Sequence, residues 1–273
     1  MGTLYLVGTP IGNLEDITLR ALRTLREVSV IAAEDTRTTG RLLQEYAVET
    51  PLVSYHDFSD EARLAAIVDR LATEDVALVT DAGTPGLSDP GYRLVQAAIA
   101  AGVTVTPIPG PAAAVAALVS SGLPTDSFLF LGFLHRQEKA RRDALAAIAT
   151  LPYTLVLYEA PHRLLASLAD VAAVLGDRPL VVARELTKLH EEIWRGTASE
   201  ARAYFGEGQV RGEITLVIAG ASEAETRWDE AAVRAAMDAQ LARGLRRKRA
   251  AAIVAEQSGW RKRDVYDLSL QEE

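Results

Sequence analysis

Cysteine is absent from all 273 residues of the sequence. Its absence excludes disulfides and cysteine-ligated metal sites. Histidine is scarce as well, and the four copies show no metal-ligand spacing, so we predict no zinc or iron site. Carboxylates, basic side chains and backbone groups are left as the candidates for chemistry.

Long apolar runs are also absent, because no segment approaches the roughly 18 residues that a membrane-spanning helix needs. The first eight residues lack the basic start and the apolar stretch of a secretory signal peptide. We therefore expect a cytoplasmic protein with no membrane partner. A hydrophobic content of 49% with 24% charged residues is typical of a globular chain that buries a core.

The net charge of −8 disfavours a general nucleic-acid-binding protein, but the charge is unevenly distributed. Residues 241–263 contain eight Lys or Arg and one acidic residue, Glu256. A basic segment on an acidic body can contact RNA locally while the protein stays soluble. The alternative interpretation is a helix with a solvated charged face.

Short apolar segments alternate with amphipathic ones, which predicts repeated βα units and a mainly parallel sheet. The predicted strands of the first series are 4–7, 30–33, 52–54, 76–80 and 103–108. Those of the second series are 128–133, 154–158, 180–184 and 214–219. A small polar segment, 221–226, resembles a linker, and three short helical patterns follow it.

Three glycine- and proline-rich segments come at predicted strand ends, where ligands of open α/β sheets bind. Residues 8–14 read Gly-Thr-Pro-Ile-Gly-Asn-Leu, and fit either a ligand loop or a tight turn. Residues 81–91 hold three Gly, two Pro and two Asp, which favours a rigid binding loop over a surface turn. Residues 109–114 open a helix with small side chains and fit either a ligand or close helix packing.

Charged residues follow three predicted strands, at 34–37, 158–163 and 184–188. Their acids are expected to cluster at one edge of the sheet. Clustered acids point to a functional site, whereas each one alone fits a helix cap or a salt bridge.

These motifs, in this order, resemble the ribosomal RNA small-subunit methyltransferase I family, a branch of the tetrapyrrole (corrin/porphyrin) methylases. The resemblance covers nearly the whole chain and is carried by residues 8–18, 33–37, 54–56, 81–91, 109–111 and 159–163. The segments 81–91 and 159–163 are specific to the branch.

The resemblance implies an α/β, two-lobed tetrapyrrole-methylase-like fold of the class III S-adenosylmethionine (SAM) methyltransferases, with a small helical C-terminal module. The predicted lobes are 1–110 and 111–222, with SAM between them, and the basic module is 227–273. It also implies a homodimer, and 2′-O-methylation of a cytidine in the decoding region of 16S rRNA, acting on the small ribosomal subunit.

The superfamily's SAM contacts are carried over to nine residues of this sequence. They are Pro10, Ile11, Gly83, Thr84, Leu87, Ala112, Ala113, Glu159 and Leu186.

A ribose hydroxyl is a poor nucleophile, so it needs positioning and a carboxylate that accepts its proton. The candidates, ranked by position alone, are Asp81, Glu34 and Glu159. Arg184 and Lys188 are predicted to orient phosphates. Further RNA contacts are predicted in the basic region at Arg136, which also holds Lys139, Arg141 and Arg142, and in the tail at Arg246, Arg247, Lys248 and Arg249.

Two other functions remain open. A tetrapyrrole-precursor methyltransferase would share the fold and cofactor, but the basic tail and the loop 81–91 disfavour a small acceptor. A non-catalytic RNA-binding assembly factor would not need the complete set of cleft motifs.

Overall fold

The computed structural model describes residues 1–56, 59, 61–222 and 228–270, and its first 108 residues form five strands and four helices. The strands are β1 (Thr3–Val7), β2 (Val30–Ala33), β3 (Leu52–Ser54), β4 (Val76–Val79) and β5 (Thr104–Ile108). The helices are α1 (Leu19–Glu27), α2 (Thr36–Glu45), α3 (Glu61–Leu71) and α4 (Tyr92–Ala100).

The first sheet is parallel throughout, with the strand order β3-β2-β4-β1-β5. Alternate residues of β4 face opposite sides, so Ala77 and Val79 pack with α1 and α2 while Val76 and Leu78 pack with α3 and α4. Burial on both faces explains why these strands are continuously apolar.

The second lobe contains five more strands and four more helices. The strands are β6 (Phe128–Phe133), β7 (Thr154–Glu159), β8 (Pro179–Arg184), β9 (Glu192–Thr197) and β10 (Ile214–Ile218). The helices are α5 (Ala113–Ser121), α6 (Glu138–Ala146), α7 (Leu164–Leu175) and α8 (Ala198–Gly206).

The prediction of a mainly parallel arrangement is wrong for the second sheet, whose order is β6-β7-β10-β8-β9. Only β6 and β7 pair in parallel there, and the other three pairings are antiparallel. The sequence pattern also missed β9 and α8. The strand β9 has few apolar residues and is only half-buried, so it lacks the apolar run that marked the other strands.

Helix α5 joins the two lobes. It begins just after β5 of the first sheet, yet its buried residues Ala117 and Leu118 pack against Val156 and Val217 of the second sheet. Ile11, from the loop after β1, belongs to the same cluster. The proline- and glycine-rich segment before α5 is therefore the covalent connection between the lobes.

The predicted helical C-terminal module is confirmed, with helices α9 (Glu230–Ala242), α10 (Arg247–Ser258) and α11 (Lys262–Leu268). They share a core of their own, formed by residues such as Val233, Val254 and Val265. None of the helices in the described part of the chain is long and apolar enough to span a membrane.

The domains 1–110, 111–222 and 227–273 remain a proposal: each has core clusters of its own, but Ile11 of the first packs into a cluster of the second. Most of the predicted linker, the start of the module at 227 and its last three residues lie outside the described residues.

The two backbones that leave β1 and β5 cross at a pair of glycines. A Cβ on Gly8 would lie 2.8 Å from Gly110 Cα, and a Cβ on Gly110 would lie 2.9 Å from the Gly8 backbone. Since both obstacles are main chain, neither can move as a flexible side chain would. The crossing brings the loop after β1 against the start of α5.

We predict that Gly8→Ala lowers the free energy of unfolding by about 1–3 kcal/mol, because the added methyl group overpacks the crossing. Urea denaturation of the purified protein measures the loss. Gly208→Ala is the matched control, since nothing lies within 4 Å of the Cβ it would add. Equal stability of the two variants would show that the crossing is not sterically constrained.

Candidate functional site

A cavity of about 320 Å³ lies between the two lobes, which is within the range of small-molecule sites. The first lobe lines it with residues from the loops after β1 and β4. The second lobe lines it with residues at or after the carboxyl ends of β6, β7 and β8, and with residues at the amino end of β10, which is antiparallel to β7 and β8. Ala112 and Ala113, at the start of α5, complete the wall. Carboxyl ends of parallel strands therefore face the cavity, as expected for an open α/β sheet.

The structure brings eight of the nine predicted SAM contacts together in the wall of this cavity. They are Ile11, Gly83, Thr84, Leu87, Ala112, Ala113, Glu159 and Leu186. Pro10, the ninth, is buried beside Ile11 and is not part of the wall.

A two-residue bridge fixes the first-lobe side of the cavity. The backbone N–H of Thr9 donates to the Gly83 carbonyl at 2.9 Å, and the Gly83 N–H donates to the Thr9 carbonyl at 3.1 Å. The Thr9 hydroxyl also donates to the Thr80 carbonyl at 3.0 Å. Because Thr9 is buried, these bonds are shielded from water and hold the two glycine-rich loops in one register.

Left-handed backbone conformations concentrate around the cavity. Gly83 has a φ of 77°, and three of the four non-glycine residues with positive φ in the described chain are Ser88, Glu185 and Thr187. Ser88 lines the cavity, and the other two flank Leu186, which also lines it. Such strained residues cost free energy and persist where the surrounding structure holds a functional geometry.

Two of the predicted proton acceptors, Glu34 and Asp81, meet at the edge of the first sheet. The Asp81 N–H donates to Glu34 Oε2 at 3.3 Å, and the Asp35 N–H donates to Asp81 Oδ1 at 3.2 Å. Neither Glu34 nor Asp81 lines the cavity, although Ala82, the next residue along the chain, does. The expected acidic cluster is therefore present, but it stands beside the cavity.

The carboxylates in this cluster have opposite titration behaviour. The Arg37 guanidinium, bonded to Asp35, lowers the pKa of Asp35 to about 2. Partial burial raises the pKa of Asp81, and the nearby negative charge of Asp35 adds to the increase. A carboxylate with a raised pKa is the better proton acceptor of the two.

Glu159, the third candidate, belongs to the second sheet and does not share the edge with Asp81. Its side chain is fully buried and accepts hydrogen bonds from the Ala160 N–H at 2.8 Å and from the Ser167 hydroxyl. Arg163 Nε lies 3.3 Å from its Oε1. This carboxylate is already satisfied by protein groups, so the geometry favours a role in shaping the cavity wall.

The basic residues that were predicted near the cleft differ in how far they are neutralised. Arg184 is ion-paired with Glu192, and Lys188 with Glu185 and Glu213. These partners reduce the charge that either cation offers to a phosphate.

Two arginines of the predicted basic region are neutralised as well. Arg141 is buried and bonded to buried Asp170 at 2.6 Å, and Arg142 bonds to the same carboxylate at 2.7 Å. Arg136 is exposed, and no side-chain partner is found for it within the described residues. Arg136, together with Lys139, which is likewise exposed, is therefore available in this region to contact a phosphate.

In the C-terminal module, Arg246, Lys248 and Arg249 are exposed around the start of α10. Arg247 is half-buried and donates to the Ser269 carbonyl at 3.1 Å, so it helps to hold the module together. Three of the four predicted cations are thus available on the surface.

Sequence reasoning missed more than half of the cavity wall. The missed residues are Ala82, Ser88, Asp89, Phe133, Tyr158, Ala160, Pro161, Ala183, Gly212, Glu213, Ile214 and Thr215. Six of them lie inside the segments 81–91 and 158–163, which sequence reasoning had singled out without assigning these residues a contact. Phe133 and residues 212–215 instead reach the cavity through the second sheet. No local pattern could have located those residues, because their approach depends on the strand order.

Comparison with known proteins gives matches over both lobes and the module. The family model described as "Tetrapyrrole (Corrin/Porphyrin) Methylases" matches residues 3–202, and the one described as "RsmI C-terminal HTH domain" matches residues 229–273. The chain is 50% identical to a ribosomal RNA small subunit methyltransferase I of Synechocystis sp., over 99% of this chain and 98% of the relative. It is 48% identical to the protein of that name from Halalkalibacterium halodurans, over 99% and 96%.

A solved structure has the same fold. The uroporphyrin-III-C-methyltransferase from Thermus thermophilus superposes with a TM-score of 0.55 at 25% identity, covering 80% of this chain and 94% of that protein. The predicted two-lobed tetrapyrrole-methylase fold is thereby confirmed.

Proposed function

The chain belongs to the ribosomal RNA small subunit methyltransferase I family of the tetrapyrrole methylases, and we propose that it methylates ribosomal RNA with SAM as methyl donor. More specifically, we propose 2′-O-methylation of a cytidine ribose in the decoding region of 16S rRNA, within the small ribosomal subunit. The observation that carries the proposal is the inter-lobe cavity, in which eight of the nine expected SAM contacts meet.

The cavity fits SAM in size and in the chemistry of its wall. Ile11, Ala112, Ala113 and Leu186 offer apolar surface without bulk, as a flat purine and an aliphatic chain require. Gly83 lets the backbone approach without a side chain. The carboxylates of Asp89 and Glu213 supply hydrogen-bond acceptors at the wall.

When bound, SAM supplies an electrophilic methyl group: the ribose 2′-oxygen forms a bond to that carbon, the carbon–sulfur bond breaks and S-adenosylhomocysteine leaves. The protein has to hold the hydroxyl in line and to accept its proton. We assign Asp81 as the group that accepts this proton, because burial raises its pKa and because it is adjacent in the chain to Ala82 of the cavity wall. Glu34, which accepts from the Asp81 N–H, is the second candidate.

RNA binding is assigned to two exposed basic surfaces. Arg136 lies after β6, three residues beyond the cavity wall. Arg246, Lys248 and Arg249 lie on the module, and they would neutralise phosphates without sequence preference. The paired cations Arg184 and Lys188 have a weaker claim.

We also propose a homodimer, which the exposed Val115 and Val119, one turn apart on α5, support.

The direct test incubates the protein with tritiated SAM and small ribosomal subunits from a strain that lacks the corresponding enzyme. Naked 16S rRNA and a porphyrin precursor are the alternative acceptors, and nuclease digestion maps the labelled nucleotide. Label in a 2′-O-methylcytidine of the subunit is the expected result. Label only in the porphyrin would replace the function with a tetrapyrrole methyltransferase. Bound SAM without label in any acceptor would also contradict the proposal.

We predict that Asp81→Asn reduces kcat by about 10²–10⁴-fold, while SAM affinity stays unchanged. Asp81 accepts a proton only when ionised, so wild-type activity falls as the pH drops through its pKa. Since that pKa is raised, the fall occurs at a higher pH than the ordinary aspartate pKa of 3.8 would give. Asp126→Asn, at an exposed site elsewhere, is the control. Full activity of Asp81→Asn would remove Asp81 as the base.

We predict that changing Arg246, Lys248 and Arg249 to Gln weakens subunit binding and flattens its salt dependence. The slope of log K against log salt should fall in magnitude by about 2–3, at roughly 0.7–0.9 per lost phosphate contact. The control variant changes Arg20, Arg23 and Arg41, which are exposed on the first lobe, to Gln, so that it loses the same charge. An unchanged slope in the module variant would contradict its role in RNA binding.

A further inference from the structure

Phe133 is an exposed aromatic residue in the wall of the cavity. Its relative exposure is 56%, the highest among the large apolar residues that line the cavity. Leaving an aromatic ring in water forgoes the free energy that its burial would contribute. The position therefore needs an explanation beyond packing.

A β-bulge places Phe133 on the cavity side of the second sheet. Phe130 pairs with Val156, but Phe133 pairs with Tyr158, so β6 contains one residue more than β7 between these pairs. In an unbroken register, Phe133 would share the face of Leu129 and Leu131, which pack into the core beneath α7. The extra residue turns its ring to the opposite face.

The bulge lies close to the first lobe. Gly132 has a φ of 60°, and a Cβ there would lie 2.8 Å from the hydroxyl oxygen of Ser88. Ser88 belongs to the loop after β4 and is itself left-handed, with a φ of 63°. These two left-handed residues, of which only Ser88 is strained, lie close together where Phe133 enters the cavity wall, and bulges commonly redirect a side chain at such sites.

Tyr158 supports the Phe133 ring from one side. The ring centroids of Phe133 and Tyr158 are 5.6 Å apart, and the planes of the two rings are tilted by 59°. The ring centroid of Phe130 lies 5.1 Å from that of Tyr158. The rest of the Phe133 surface is open. Beyond it, the chain continues through the buried Leu134 and the exposed His135 to the exposed Arg136. The Phe133 ring is suited to stack on the base of a nucleotide, and the Arg136 guanidinium, three residues further along the chain, is suited to contact the phosphate of the same nucleotide.

We propose that Phe133 stacks against the base of the acceptor nucleotide and thereby sets the position of its ribose at the cavity. The inference rests on the proposed function and adds the residue that recognises the RNA. An unpaired base is the ligand that fits, because stacking on an exposed aromatic side chain is the usual way for proteins to hold single-stranded RNA. Stacking of Phe133 on the adenine of SAM is disfavoured, because Phe133 lies at the exposed rim of the cavity whereas the small apolar side chains lie deeper.

The test compares Phe133→Leu, which keeps an apolar side chain but removes the ring, with Phe133→Tyr, which keeps the ring. Phe128→Leu is the matched control, because Phe128 lies on the same strand, is 45% exposed and does not line the cavity. Steady-state methylation of small subunits gives kcat and KM, and calorimetry gives the dissociation constant of SAM.

We expect kcat/KM for the subunit to fall about 10- to 100-fold in Phe133→Leu, in line with the loss of one base stack. The Tyr variant and the Phe128 control should stay near wild type, and SAM affinity should not change in any variant. Wild-type kcat/KM in Phe133→Leu would overturn the proposal. A parallel loss of SAM affinity would also overturn it, because Phe133 would then belong to the donor site. Failure of the wild type to methylate rRNA would instead remove the proposed function, and this inference with it.

Discussion

The reciprocal hydrogen bonds between Thr9 and Gly83 are the constraint on which the site depends. Strands β1 and β4 are neighbours, but the chain leaves them in opposite directions, which opens a crevice between their loops. The bridge ties the two loops together, and the crossing of Gly8 and Gly110 adds the start of α5 to the same unit. Three separate segments thus become one rigid side of the cavity.

The distribution of charge around this rigid side separates the mainly apolar cavity from the neighbouring carboxylates. The cavity is walled mainly by small and apolar groups, while Asp81 and Glu34 stand just outside it. Asp35 stays ionised beside Arg37, and its charge helps to keep the pKa of Asp81 high. Arg141, Arg184 and Lys188 are ion-paired, whereas Arg136 and three cations of the C-terminal module are exposed.

The second lobe presents irregular backbone to the cavity. The bulge at Gly132 and the left-handed residues Glu185 and Thr187 all lie where strands of the second sheet meet the cavity. Regular strands would point the same side chains into the core. The second sheet can hold such distortions because its buried strands, β7, β10 and β8, remain regular.

The sequence alone determined the first sheet, the two glycine-rich loops and the helical module, because these depend on local periodicity and on residues with distinctive backbone freedom. It also predicted eight of the residues that line the candidate donor site, through motifs that each lie within a few residues. Only the tertiary structure decided the mixed direction of the second sheet, since strand order is set by long-range pairing. For the same reason it alone decided that Glu159 is enclosed, that Arg141 is neutralised by Asp170, and that an extra residue in β6 turns Phe133 toward the cavity.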